Sequence, residues 1–382
     1  MIKTIKYIFI IFSLFTSYSY GKNDSIIVNN EKKIIEYYKK GKELAEKGDY
    51  KNSLKPLNKS LFLQEKSKNN KYLILILNRM AISYRELYQY DKALKHLIKA
   101  EKFMVKIRGK EHFDMADIYN NIALIYHAKG EYSKALKLYN KALKIYLKLN
   151  NGFNLGVATT SVNIGLIWEE KESYQKALSF YKKGLKIRTK ISSGKDPLLA
   201  MNNTYIAAIY VTLGQKDEAR KHYEKAFKIA LDIFGKKHIQ TLIISTQLAT
   251  TYDYEKSLKV HTRNLETVKK YFGKNILLIS IYQKIGLLWE SKYNYKKALT
   301  FYKEGLNIRT SLLGEKHPSL AHSYKHIAIV YEKEKNKKEA LIYYKKAFKL
   351  YNGYMNKKNK TINFIEKKIQ SLEEKRIEDY ID

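Results

Sequence analysis

Tyr132-Ser133-Lys134-Ala135-Leu136, followed by Tyr139, Ala142 and Leu143, is the stretch on which the reading of this 382-residue chain turns. The pattern returns as Tyr174, Ala177, Leu178, Tyr181, Gly184 and Leu185, and again as Tyr295, Ala298, Leu299, Tyr302, Gly305 and Leu306. Its small residue can be followed through eight copies, Ser53, Ala93, Ala135, Ala177, Ala219, Ser257, Ala298 and Ala340, at spacings of 40, 42, 42, 42, 38, 41 and 42. A period of this length marks a repeat architecture in which neighbouring units share one core.

Two further columns travel with the first. A second small residue stands twelve positions earlier in seven copies: Gly41, Ala81, Ala123, Gly165, Ala207, Gly286 and Ala328. In the sixth copy Ala249 precedes Ser257 by only eight, and the four missing residues amount to about one helical turn. Three residues after this small position comes an aromatic (Tyr84, Tyr126, Trp168, Tyr210, Tyr252, Trp289, Tyr331), except in the first copy, which has Leu44. Apolar residues three and four apart make each half-repeat an amphipathic helix. In the third copy Ile118, Ile122, Ile125 and Tyr126 share one face, and Leu136, Tyr139, Leu143 and Tyr146 share the next. Lys129-Gly130-Glu131 between them reads as a tight turn with Gly130 in a left-handed cap. Small residues let the paired helices approach closely, so a larger side chain at Ala135 or Ala177 should overpack.

The columns resemble the tetratricopeptide repeat, whose eighth, twentieth and twenty-seventh positions are small. More narrowly, they resemble the 42-residue kinesin-light-chain type, with its Gly-x-x-His-Pro linker. The fullest linker is Leu313-Gly314-Glu315-Lys316-His317-Pro318-Ser319-Leu320-Ala321, with degenerate versions at 109–112, 194–197 and 235–238. The resemblance covers about residues 33–352 and implies an all-α, right-handed superhelical solenoid of about eight helix pairs. Two departures stand out. Pro56 falls inside a second helix, where a kink is expected, and residues 353–382 offer a further helix, read as a polar cap.

The N-terminus carries a different signal. Lys3 and Lys6 precede an apolar run from Tyr7 to Phe15, then small or polar residues with Ser17 and Ser19 at minus three and minus one of a cut. This is the layout of a secretory signal peptide over 1–21, with Gly21 an alternative cut and an uncleaved anchor the other reading. A linker at 22–32 would follow, and the mature protein is expected to be exported, periplasmic or secreted. No later segment is apolar enough to cross a membrane.

Composition narrows the chemistry. With no cysteine, disulfides, thiolate metal sites and cysteine nucleophiles are excluded. The formal charge of +36 comes from 73 Lys and Arg, of which only eight are Arg, and it is spread along the chain. That distribution argues for acidic partners in general rather than for nucleic acid. There is no phosphate-binding glycine loop, His-Glu-x-x-His or nucleophile elbow. His322 and His326, one turn apart, could share a metal, but no third ligand is evident, so neither metal nor cofactor is expected.

Binding is the remaining chemistry. In tetratricopeptide proteins the first helix of each pair lines the concave face through its second, fifth, sixth, ninth and twelfth positions. The resemblance therefore implies a groove bearing Lys39, Lys42, Asn78, Arg79 and Arg85, then Asn120, Asn121, His127 and Asn163. Tyr205, Gln247, Gln283, Lys284, Lys325 and His326 continue it in later copies. Amides can pair with both faces of a peptide backbone, and Lys or Arg can hold carboxylates. The expectation is an exported scaffold that binds an acidic protein or peptide and catalyses nothing. The alternative is a sensory or regulatory input module acting with a separate effector.

Overall fold

The computed structural model describes residues 25–67, 70–148, 152, 154–192, 194, 196–354 and 360–381. The expected signal peptide and the start of the linker lie outside the described residues. Among the described residues there are seventeen helices and no strand. The chain divides into two compact units, residues 1–194 and 195–382.

In the first unit the pairs are α1 (Ser25–Glu46) with α2 (Tyr50–Lys66), α3 (Leu73–Glu86) with α4 (Tyr90–Arg108), α5 (Phe113–Ala128) with α6 (Tyr132–Leu147), and α7 (Leu155–Glu170) with α8 (Tyr174–Ile191). In the second they are α9 (Pro197–Thr212) with α10 (Lys216–Phe234), α11 (Ile239–Ala249) with α12 (Tyr254–Phe272), α13 (Ile276–Ser291) with α14 (Tyr295–Leu313), and α15 (Leu320–Lys333) with α16 (Lys337–Tyr354). A last helix, α17 (Lys360–Ile381), buries Ile362, Ile365 and Leu372 in the core cluster that holds Tyr344 and Ala347 of α16. Pro56 is buried inside α2, which runs on through it.

The small columns do the packing that their spacing implies. Ala93, Ala135, Ala177, Ala219, Ala298 and Ala340 are wholly inaccessible to solvent. A Cβ added at Gly165 would come within 2.6 Å of the Tyr181 ring, and one at Gly286 within 2.6 Å of the Tyr302 ring. The ring of the second helix therefore packs directly against bare backbone of the first.

The joints follow from capping. Gly130 takes φ of 76°, and its N–H donates to the His127 carbonyl while that of Glu131 donates to Tyr126. These bonds satisfy the last carbonyls of α5 and turn the chain into α6. At the linkers, Gly109, Gly235 and Gly314 close the second helices with φ near 80°. Three residues on, His112, His238 and His317 accept backbone N–H bonds at Nδ1 from Asp114, Gln240 and Ser319, at 3.2–3.3 Å. Asn154, Asp196 and Asn275 do the same at three further linkers. The Gly-x-x-His linker is thus a left-handed stop followed by an N-cap.

The sixth copy keeps its His238 start and loses its end. Its first helix, α11, has eleven residues against 14–16 in α3, α5, α7, α9, α13 and α15. The carbonyls exposed by the truncation accept from cations of α10: the Arg220 guanidinium reaches Thr251 O, and Lys216 Nζ lies 3.3 Å from Tyr252 O.

Replacing Gly286 by Ala is expected to lower stability by about 1–3 kcal/mol, because the Tyr302 ring must shift from a filled site. Ala at the exposed Gly314, whose φ of 80° and ψ of 160° only glycine adopts without strain, should cost about 1–3 kcal/mol through the backbone alone. Thermal melting of the two variants beside the parent checks both losses.

Candidate functional site

The first helices form the wall on which the expected groove residues stand. In the first unit they touch directly, α1 with α3, α3 with α5 and α5 with α7. Several of the expected groove residues lie buried, which corrects their reading as side chains lining a groove. Arg79, His127, Asn163 and Tyr205 are buried, at 4%, 6%, 3% and 7% exposure. Several of these side chains are spent on neighbours within the wall. Arg79 Nη2 lies 4.0 Å from Glu46, which also takes Lys42 at 3.7 Å. Arg85 forks onto Glu86 through Nε at 3.0 Å and Nη2 at 2.5 Å. Asn120 Oδ1 accepts from Thr160 Oγ1 and Asn163 Nδ2, both at 3.3 Å, and His127 Nε2 meets Glu170 at 3.2 Å. Lys39 is exposed, Asn121 half-buried, and the half-buried Asn78 has Oδ1 out of solvent without a partner.

A second set of bonds was not anticipated from the sequence. Tyr181, Tyr302 and Tyr344 each donate a hydroxyl hydrogen bond to the glutamate twelve residues earlier, Glu169, Glu290 and Glu332, at 2.6, 2.7 and 2.8 Å. Burial, helped by the neighbouring carboxylate, pushes the Tyr302 and Tyr344 hydroxyls far above their ordinary value. The same glutamates reach the next first helix or the cap: Glu290 to Lys333 at 2.8 Å and Glu332 to Lys368 at 2.5 Å. The signal was present in the sequence as a Glu–Tyr pair twelve apart.

The truncated repeat breaks this arrangement. Where the other late copies have Tyr139, Tyr181, Tyr223, Tyr302 and Tyr344, α12 has His261. The residue that would supply the glutamate is Asp253, now the N-cap of α12. His261 is 1% exposed and its buried Nδ1 has no partner. On α11, Gln247 Oε1 is likewise buried and unpartnered. On α13, the half-buried Lys284 has no hydrogen-bond or ion-pair partner among the described residues, and burial holds its ammonium below the usual lysine value. Burial, then the Lys284 charge, pulls His261 down to about 4.

One copy further on, Gln283, Tyr302, Arg309, His322, Ser323 and His326 enclose a cavity of about 10 Å³, room for a water. The guanidinium of Arg309 donates to Ser319 O at 3.0 Å and to Ser323 Oγ at 2.5 Å. His322 Nε2 and His326 Nε2 are 3.4 Å apart, and His322 Nδ1 is buried without a partner. Burial, with the charges of His326, Lys325 and Arg309 adding to it, holds His322 at about 3; burial and Lys325, opposed by Glu290, hold His326 at about 4. Lys325 is half-buried, and desolvation lowers it too. Among the described residues no group of three or more His, Asp or Glu is placed to hold a metal.

The three buried imidazoles set a pH dependence. Unfolded, they take up protons near 6.5; folded, only near 3–4. The unfolded chain therefore binds more protons between those limits, so the stability contribution is complete above about pH 6.5 and lost as pH falls toward 4. The melting temperature is expected to be flat near neutrality and to fall through that window, less steeply in His261→Gln and His322→Gln. An identical slope in both variants and the parent would remove these groups as the cause.

Comparison with known proteins gives the fold its context. No curated protein sequence matches the chain. Among solved structures, the quorum sensor NprR from B. thuringiensis in its apo form is similar at a TM-score of 0.66 and 19% identity, over 86% of this chain and 89% of that one. A signal-transduction ATPase with a tetratricopeptide repeat sensor from Pyrococcus horikoshii is similar at 0.59 and 20%, over 86% of this chain and 47% of that one. BtubC (BKLC) from P. vanneervenii gives 0.51 and 17%, over 59% and 92%. The tetratricopeptide-repeat profile matches residues 72–148, 114–190, 197–254 and 290–353, more than half of the sequence. The chain belongs to the tetratricopeptide-repeat family.

Proposed function

We propose that this protein is an interaction module whose first-helix wall in the second unit holds an acidic segment of a partner protein or peptide, without catalysis of its own. The observation that carries this reading is the row of unmet polar groups on the first helices α11, α13 and α15, with His261 of α12 beside them. A buried donor or acceptor without a partner costs roughly 1–3 kcal/mol. Such groups persist where something outside the chain meets them. Gln247 and Gln283 offer both donor and acceptor to a backbone, and Lys284 and Lys325 offer charge that no carboxylate of the described residues takes up. In the first unit the inner cations Lys42, Arg79 and Arg85 already face Glu46 or Glu86, although Asn78 Oδ1 there is also buried without a partner.

A second reading, a sensory input module acting with a separate effector, is favoured by the two neighbours whose names describe a sensor. The two readings share the ligand-holding wall and differ in the consequence of binding.

Short Glu-rich and Lys-rich peptides titrated calorimetrically against the protein test the reading. The Glu-rich peptide is expected to bind, and Lys284→Gln or Lys325→Gln to weaken it about tenfold each. Equal binding of both peptides, or indifference to both substitutions, sinks it.

Export belongs to the same proposal, on the strength of Lys3, Lys6 and the Tyr7–Phe15 run. The protein isolated from its native host should then begin shortly after Ser19 or Gly21. An intact Met1 on the mature protein, read by mass spectrometry, would count against it.

A further inference from the structure

The linkers that join one repeat to the next carry a chemistry of their own in the second unit. Lys269-Lys270-Tyr271-Phe272-Gly273-Lys274-Asn275-Ile276 spans the end of α12 and the start of α13. Its three large apolar side chains point out of the fold: Tyr271 is 47% exposed, Phe272 38% and Ile276 41%. Gly273, at φ 59°, turns the chain between them. The preceding linker stands against this one, with Lys237 Nζ 4.7 Å from the centre of the Tyr271 ring. The following linker presents Leu312 and Leu313, at 40% and 39% exposure.

The charges around these side chains are nearly of one sign. Lys236, Lys237, Lys269, Lys270, Lys274 and Lys316 are all exposed, and the carboxylates on the same linkers and helix ends are Asp232 and Glu315. The apolar groups stand at helix ends on either side of short linkers, Tyr271 and Phe272 closing α12, Ile276 opening α13 and Leu312 and Leu313 closing α14. Protruding Tyr, Phe, Ile and Leu ringed by lysine heads suit the boundary of an anionic bilayer, where rings and aliphatic chains enter the headgroup layer and ammonium groups meet phosphate. No helix of the described residues is long and apolar enough to cross a membrane, so such contact would be interfacial. We propose that this linker edge docks the protein on an anionic lipid surface, independently of the peptide-holding wall.

Co-sedimentation of the whole protein with phosphatidylcholine vesicles, with and without phosphatidylglycerol, tests this. The protein should pellet with the anionic vesicles and be released by salt. Lys269→Gln, Lys270→Gln and Lys274→Gln together should weaken binding about a hundredfold, at about fivefold per lysine. Phe272→Ser with Leu313→Ser should weaken binding at unchanged charge. Both variants alter exposed side chains, and an unchanged melting temperature confirms that they fold. Equal binding to neutral and anionic vesicles, or no binding to either, overturns the proposal. So does loss of binding in the lysine variant alone, with the Phe272/Leu313 variant at full strength, since that describes a diffuse polyanion site shared with DNA or heparin.

Discussion

Where Gly165 and Gly286 face the rings of Tyr181 and Tyr302, the first helix offers bare backbone and the ring of the second fills the space, and much of each repeat is arranged around that contact. The ring cannot sit there unless the first helix offers Gly or Ala, and in three copies its hydroxyl finds a carboxylate acceptor. Glu169, Glu290 and Glu332 supply the acceptor one helical stretch back on the first helix. The glutamate is then half-desolvated and draws a cation from the neighbouring element, Lys333 or Lys368. A packing requirement in one pair becomes an ionic link to the next. It adds to the shared apolar core, one cluster running from Leu73 to Ile187 in the first unit, which holds consecutive repeats together although no pair buries its own apolar face.

The truncated sixth copy shows the effect of removing one member of that chain of requirements. Shortening α11 by a turn takes away the position from which a glutamate would meet the ring hydroxyl. Tyrosine there would leave its hydroxyl buried without an acceptor, at a cost like that of any orphaned polar group. His261 occupies the place instead, neutral near pH 7, with one nitrogen still unmet. The ammonium of Lys284 beside it has no carboxylate to turn to. The deletion thus converts a self-satisfied joint into a place with residual hydrogen-bonding capacity, while Arg220 and Lys216 secure the shortened helix end from outside.

Much of this could be read from residue spacing. The two small columns, the following aromatic and the one-turn gap before Ser257 were sufficient for the helix pairs, their joints and the short α11, because they are local and recur in phase. The inward-facing set was read less well. Arg79 and Asn163 were expected at an open groove and lie buried, since exposure depends on how closely consecutive first helices approach, a distance that periodicity does not contain. Residues of the second helices, His261 and Arg309, were absent from the expected set altogether. The groove rule counts positions on first helices only, and both side chains act across from the opposite partner. The Glu–Tyr interval of twelve was visible but had no meaning until the hydroxyls were found on the carboxylates.

The uneven charge of the chain also resolves by position. A formal +36 spread over 382 residues says little about where a ligand would sit. In the structure, some of that excess is absorbed as cations over rings, as with Lys176 on Trp168 at 4.4 Å and Lys297 on Trp289 at 4.1 Å, where the lysine stems cover the aromatic column. Other lysines make exposed pairs with Glu or Asp of little energetic consequence. What distinguishes Lys284 and Lys325 is burial without an anion, and what distinguishes Lys269, Lys270 and Lys274 is company with exposed Tyr271, Phe272 and Ile276. A desolvated amine seeks one specific counter-charge, whereas a hydrated cluster beside apolar tips responds to an extended surface. The same residue type therefore serves two different kinds of contact, and the local dielectric decides which.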